Sequence, residues 1–450
     1  MTTTDAIAAA LLEHATSERG LDQWLAAGDR VGWCEHPIRL VVPVDTVNVT
    51  TGEITTLIAS SGRGVLAACG NRRASRCLPC SRRYARDTWF LTAGGVSRND
   101  YTPALALGSP AVFLTVTAPS FGAVHSASSS GLPRSAQCSH KSGAGSRSEG
   151  FTPSLPVCDR CYRYEELVLW NAHSPRLWAR TVLLLKRRLA KQLGVSVRAA
   201  KSVFTIESTK AAEFQMRGAV HLHALIRVDR IDSRIGVDQG DLLVAARSAI
   251  TTASLKVSDA VAGYGLDEIR WGRQYDVRPL VAASPAAGVE AIAVAGYLAK
   301  YVTKDIGTVA ACSESLPVRQ HRRALRDSLE QLASDPDLSF LNLAHRVETL
   351  GYPSRPITRS RHYSSTLAAL SKKRQEWASS GQQQTDGEHS EEFRFVGSGW
   401  GSGGEHAFAR QRSQQRVAAE QEAAEQRRAE RRMSALADAI VAQRTAALVK

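Results

Sequence analysis

Two histidines stand two residues apart in the run Val220-His221-Leu222-His223-Ala224. On a β-strand such a pair projects to one face, while Val220, Leu222 and Ala224 project to the other. Imidazoles spaced about 7 Å along a strand can share a divalent ion. The preceding residues Ala212-Glu213-Phe214-Gln215-Met216, followed by Arg217-Gly218, read as the partner strand and turn of a hairpin. With a three-residue loop over 217–219, Gln215 lies opposite His221 and Glu213 opposite His223, so either can supply a third oxygen ligand. A two-residue loop places Phe214 opposite His221 instead.

Further along comes Gly296-Tyr297-Leu298-Ala299-Lys300-Tyr301-Val302-Thr303-Lys304. On a helix, Tyr297 and Tyr301 lie one turn apart and Lys304 neighbours Tyr301 at i+3. Two phenols and an ammonium on one face suit a covalent nucleophile whose developing charge needs an offset.

Cysteine spacing suggests a different chemistry. Cys77-Leu-Pro-Cys80 and Cys158-Asp-Arg-Cys161 are two CxxC turns, each able to bring two thiolates to one ion. Together they predict a structural Zn²⁺ site, with Cys69 as a further candidate ligand and Cys138-Ser-His140 as another candidate pair. The number of ions and the choice of four ligands stay open. Cys34 and Cys312 stand alone and receive no role. Arg72, Arg73, Arg76, Arg82, Arg83 and Arg86 surround the first turn, which fits a phosphate-binding surface stapled by zinc.

The elements that must hold these groups follow from periodicity. Residues 111–117 (AVFLTVT) read as a strand, 167–193 as a long amphipathic helix and 201–208 as a second strand. Residues 212–216 and 220–228 form the hairpin, 242–260 a helix, 274–280 a strand and 288–304 a helix. Directly joined strands pair antiparallel, so the fold class is α+β with a central antiparallel sheet flanked by helices. Residues 121–154 are dominated by Ser, Gly and Pro, a looped excursion, and 378–405 read as a linker. Residues 410–448 lack Gly and Pro and predict a long charged helix. The expected divisions are an N-terminal region at 1–60, a first core strand with a cysteine-rich insertion at 61–165, and a core at 166–310. A basic region at 311–377 and a helical tail at 378–450 complete the chain.

Composition narrows the partners. The 450 residues carry 57 Lys and Arg against 43 Asp and Glu, a net charge of +14, which points to a polyanion and to nucleic acid first. At 43% hydrophobic the chain is globular, yet no run approaches the roughly 20 apolar residues of a membrane span. The first ten residues do not read as a secretory signal, which sets the expectation of a cytoplasmic protein without membrane partners. No Gly-rich phosphate loop of the Walker type occurs, which argues against an intrinsic ATPase.

The order FLTVT (113–117), EFQMRGAVHLH (213–223), YLAKYVTK (297–304) resembles the three motifs of the HUH endonuclease superfamily, in its rolling-circle replication-initiator branch. CGNRRASRCLPCSRRY (69–84), LWNAH (169–173) and LGYPSRPITRSRHYS (350–364) add a closer likeness to the initiators of actinobacterial plasmids. The resemblance implies an HUH core with a zinc-binding insertion, and a metal-dependent nickase of single-stranded origin DNA. His221 and His223, with Glu213 or Gln215, would hold Mg²⁺ or Mn²⁺. Tyr301 would attack, assisted by Lys304, leaving a 5′-phosphotyrosyl enzyme and a free 3′-OH for a host polymerase, with a host helicase as a further partner. Single-tyrosine initiators often carry Glu one turn before the nucleophile. Tyr297 stands there in this chain, which implies termination by a second strand transfer. Arg72, Arg73, Arg82, Arg83, Arg359 and Arg361 would contact DNA. An HUH transposase or relaxase is the near alternative, though neither a fused helicase nor a three-histidine cluster is visible. A non-catalytic zinc-containing DNA-binding protein would leave the tyrosine helix without a purpose.

Overall fold

The computed structural model describes residues 2–16, 20–41, 44–47, 54–57, 65–93, 109–124, 155–232, 236–280, 298, 316–379 and 394–448. The chain divides into two units, one made of residues 1–84 with 383–450 and the other of residues 85–382.

In the larger unit, β-branched and aromatic residues build five strands: β1 (Ala111–Thr117), β2 (Phe204–Phe214), β3 (Val220–Arg230), β4 (Tyr275–Leu280) and β5 (Ile357–Arg359). They form one antiparallel sheet in the order β4-β1-β3-β2-β5. Alternation along β1 and β3 sends Val112, Leu114, Val116, Leu222, Ala224 and Ile226 to one face, where all are buried. Helices α2 (Tyr164–Gln192), α3 (Gln239–Thr252) and α4 (Leu316–Ala333) cover that face and complete the main core. The expected α+β class with an antiparallel sheet is what the chain adopts.

The opposite face carries His221 and His223. It also holds a small apolar cluster of Ala111, Ala211, Leu225, Leu280, Leu298 and Tyr363, with Phe113 packed against it.

Several expected boundaries move. The strand expected over 201–208 and the first hairpin strand are one continuous β2. Ser208-Thr209-Lys210-Ala211-Ala212 lacks alternation because both faces of the sheet are covered there, and the last four of these residues are buried. The helix expected to run to 260 stops at Thr252, and Ser254–Lys256 pairs with Glu268–Arg270. Within the expected linker, Arg394–Ser398 is a strand paired with Ile38–Val41, because Phe395 and Val396 prolong an extended run beside an available sheet edge. The helix expected over 288–304 lies outside the described residues except for Leu298, which is helical.

The smaller unit gathers helices Thr3–Thr16 and Gly20–Arg30, a three-stranded sheet of Arg394–Ser398, Ile38–Val41 and Val65–Ala67, the start of α1 (Leu78–Ala93), and the long α5 (Gly403–Leu448). Its core is aromatic: Trp24, Trp33, Trp400 and Phe408 meet at centroid distances of 5.2–5.9 Å. Gly404 lets α5 approach the first helix, since a Cβ there would sit 2.0 Å from the Ala6 carbonyl oxygen. Among the described residues no helix is long and apolar enough to cross a membrane.

Candidate active site and candidate metal centre

The hairpin that carries the histidines closes through Met216-Arg217-Gly218. The Gln215 N–H donates to the Ala219 carbonyl at 2.9 Å, and Gly218 N–H donates to the Gln215 carbonyl at 2.8 Å. Gly218 has φ +82, the left-handed position that a three-residue hairpin turn assigns to glycine. The turn therefore lies one residue before the expected 217–219. Pairing moves by two, so Glu213 rather than Gln215 lies opposite His221, and Ala211 rather than Glu213 lies opposite His223. A shift of two preserves the face, and Glu213 and Gln215 both remain on the imidazole side.

His221 and His223 bring their rings to a centroid distance of 4.5 Å. Glu213 Oε2 is 3.5 Å from His223 Nε2. On the other side of the ring, Nδ1 of His223 is 3.0 Å from the Thr115 hydroxyl on β1. The hydroxyl can donate or accept there, and when the proton sits on Nδ1 the Nε2 lone pair is left for a ligand. Gln215 Nε2 is 3.5 Å from His221 Nδ1, and its Oε1 accepts from Arg217 Nε at 2.9 Å, which turns the amide nitrogen towards the imidazole. Arg217 also donates to the carbonyls of Pro119 and Ala118 at 3.1 and 3.3 Å.

Burial first, then the His223 ring, push the His221 pKa down to about 4; Glu213 pulls the other way, and the Arg217 cation adds a lesser push down. His221 is thus neutral at pH 7, the form that ligates metals. Two imidazoles and one carboxylate fit a divalent ion of the oxygen- and nitrogen-binding kind. In this conformation their ligand atoms do not yet converge, since His221 Nδ1 faces Gln215.

The stretches 169–173 and 350–364 serve this hairpin. Asn171 is fully buried on α2; its amide donates to the carbonyls of Gly218 and Leu350, and its oxygen accepts the Val220 N–H, all at 3.0 Å. Pro175 leaves the Asn171 carbonyl without its helical donor, and the Ser174 hydroxyl donates to it instead at 2.9 Å. His173 is buried and its Nδ1 donates to the Leu169 carbonyl at 2.7 Å, with burial holding its pKa down. Lys210 donates to the Tyr352 hydroxyl at 2.9 Å. Arg227 and Asp229 form a buried bidentate pair, and Arg227 donates to the Tyr363 carbonyl. Of the expected DNA contacts in this unit, Arg359 is half-buried on β5 and Arg361 is exposed.

Tyr297, Tyr301 and Lys304 lie outside the described residues. Leu298 between the tyrosines is described, and it is buried against Ala111, Ala211, Leu225, Leu280 and Tyr363 on the histidine-bearing face.

The smaller unit holds a four-cysteine group of Cys34, Cys69, Cys77 and Cys80, whose sulfurs all lie within 4.8 Å of one another. Gly32 and Trp33, both at positive φ, turn the chain so that Cys34 faces inward. Cys69 follows the short strand Val65–Ala67, Cys77 precedes α1 and Cys80 sits in its first turn. Three S···S separations are 3.7, 3.7 and 3.6 Å. A tetrahedron with Zn–S bonds of about 2.3 Å has edges of about 3.8 Å, so the thiols already stand at zinc-site spacing. Backbone N–H groups of Cys69 and Asn71 donate to the sulfurs of Cys34 and Cys69. With protons in place of metal, the thiol hydrogen bond from Cys34 chiefly holds Cys77 far down, and Cys34 is correspondingly pushed up.

The expected partnership of Cys77 and Cys80 with Cys158 and Cys161 is corrected here: Cys34 completes the set with Cys69. Cys158 and Cys161 stand in the other unit, in the turn before α2. Cys34 has no CxxC neighbour, which is why spacing gave it no role. Its one local signal is the Gly-Trp turn before it. Cys138, His140 and Cys312 lie outside the described residues. Around the group, Arg72, Arg73, Arg82 and Arg83 are half-buried, and Arg82 pairs with Glu420 at 3.4 Å.

These features define a basic α+β protein with a four-cysteine group spaced for zinc and a histidine pair on one face of its antiparallel sheet. Residues 20–414 match the RepSA family model, described as replication initiator protein, pSAM2. A replication initiator protein of Streptomyces ambofaciens is 33% identical over 374 residues, covering 77% of this chain and 78% of that protein. The chain belongs to the RepSA family of plasmid replication initiator proteins. No solved structure matches it.

Proposed function

We propose that this initiator nicks one strand of its plasmid origin by HUH-type chemistry, with Tyr301 as nucleophile. The observation that carries the reading is the placement of Leu298. It is bonded directly to Tyr297 and lies three residues before Tyr301, and it packs on the sheet face that presents His221, His223 and Glu213. The chain neighbours of Tyr297 and Tyr301 therefore include a residue held on the histidine face, which supports bringing a phenol to the histidines.

His221, His223 and Glu213 would hold Mg²⁺ or Mn²⁺, with Gln215 orienting His221; when bound, the ion supplies Lewis-acid polarisation of the scissile phosphate. For its part, the chain holds the His221 imidazole neutral, orients the His223 ring through Thr115 and positions the phenol. The Tyr301 oxygen bonds to phosphorus as the bond to the 3′-oxygen breaks. The phenolic proton passes to solvent, and the leaving oxygen is protonated as a free 3′-OH. Lys304, at i+3, offsets the phenolate charge. Tyr297 serves the second transfer that rejoins the strand.

Structural Zn²⁺ at Cys34, Cys69, Cys77 and Cys80 holds the smaller unit. Arg72, Arg73, Arg83, Arg359 and Arg361 meet the phosphates. Single-stranded oligonucleotides tiling the origin test the reading. One of them should be cleaved in Mn²⁺ or Mg²⁺ and spared in chelator, and His221→Ala should abolish cleavage. Cleavage that persists in chelator contradicts it.

A further inference from the structure

Beside the cysteine group, the sequence continues from Cys34 into Glu35 and His36, and a second set of ligand types meets there. Glu35, His36 and His406 bring a carboxylate oxygen and two imidazole nitrogens within 4.8 Å of one another, all inside the smaller unit. The two rings lie 5.7 Å apart, tilted by 31°.

Each ligand is placed by a different element. Glu35 Oε1 accepts the Leu78 N–H at 3.0 Å at the start of α1, which fixes the carboxylate and leaves Oε2 for another partner. His406 rides on the first turn of α5, its backbone N–H donating to the Ser402 carbonyl at 3.1 Å. His36 is exposed and has room to turn towards the other two. Glu405, the neighbouring carboxylate, is committed to His14 and to the backbone at the start of α5.

A second observation points independently to a ligand. Nε2 of His406 is buried and has no hydrogen-bond partner among the described residues. Buried polar atoms are ordinarily satisfied, so an orphaned imidazole nitrogen beside a second imidazole and an anchored carboxylate marks a missing electrophile.

We propose that Glu35, His36 and His406 form a second Zn²⁺ site, separate from the cysteine group, with solvent in the fourth position. Two histidines and a carboxylate are a recurrent three-ligand zinc set, and closing to tetrahedral edges of about 3.4 Å needs side-chain rotation alone. Such an ion would clamp the first turn of α5 to the segment after Cys34, joining residues more than 300 positions apart in the chain at a point the thiolates do not reach.

The test counts metal in the full chain with His221→Ala and His223→Ala as background, so that the hairpin contributes none. Cobalt is added to metal-free protein and weakly held ion is removed by desalting. The parent should retain one more Co²⁺ than either His36→Ala or His406→Ala. The near-ultraviolet thiolate-to-cobalt absorption of the cysteine site should keep its full intensity in His36→Ala. If His406→Ala also loses the thiolate band, its loss is structural and His36→Ala, an exposed substitution, decides alone. Equal retained cobalt in the parent and His36→Ala overturns the site.

Discussion

The side chain of Asn171, two turns into a 29-residue helix, accepts the backbone N–H of Val220, the residue immediately before His221. The same amide holds the carbonyl of Gly218 across the turn and that of Leu350 on a separate segment. One buried residue thus fixes where the histidine strand begins. Replacing Asn171 by Ala leaves three backbone groups without their partner. Stability should fall on the order of 3 kcal/mol, measured by urea unfolding. Loss of Mn²⁺-dependent cleavage should exceed the unfolded fraction.

The cysteine assignment separates cleanly by mutation. Cys34→Ser should cost the protein its tightly held zinc and destabilise the smaller unit, because a structural zinc contributes folding free energy directly. Cys158→Ser combined with Cys161→Ser should leave that zinc in place. Elemental analysis of the purified variants distinguishes the two outcomes, and zinc retained in Cys34→Ser but lost in the double variant would restore the pairing that spacing suggested.

Part of the fold was legible because apolar and polar residues alternate in Val220-His221-Leu222-His223-Ala224, and because Ala111–Thr117 is a short run rich in β-branched and aromatic residues. Alternation failed at Ser208–Ala212, where both faces are covered and the pattern loses its period. Parity put His221 and His223 on one face, but placing Glu213 and Gln215 there as well depended on a loop of odd length, which the turn at Met216-Arg217-Gly218 supplies. The register could not be read, since a shift of two leaves no trace in a period-two pattern. Cys34 was hidden for a different reason: its partners lie 35 and more residues downstream, and only the turn at Gly32-Trp33 and tertiary packing bring it to them.

Lys210 gives a pH signature. Burial holds its pKa down to about 8, whereas in the unfolded chain it keeps the ordinary value near 10.5. Between those values the unfolded state binds the extra proton, so stability should rise with pH from about 8 to 10.5 and level off on either side, where both states hold the proton or both have lost it. The rise is on the order of 3 kcal/mol at most. Lys210→Met should flatten it, as seen by comparing urea midpoints at pH 8 and pH 10 in both proteins.

Affinity for DNA should fall steeply with salt as phosphate contacts release counterions. Removing the exposed Arg361 should lower the slope of log K against log salt by about 0.7 on single strands. The loss should be similar for origin and unrelated sequences, because phosphate contacts carry no base information. Titrations at several salt concentrations decide this, and a loss confined to the origin would make Arg361 a base reader.

The most direct measurement captures the covalent intermediate. A single-stranded origin oligonucleotide incubated with the protein and Mn²⁺ should leave its downstream fragment bound through a 5′-phosphate, and its upstream fragment free with a 3′-OH. Peptide mapping by mass spectrometry should place the link on Tyr301, with Tyr301→Phe forming no adduct and Tyr297→Phe still forming it but failing to rejoin strands. An adduct outside the tyrosine motif, or cleavage that proceeds with no adduct, would contradict the account.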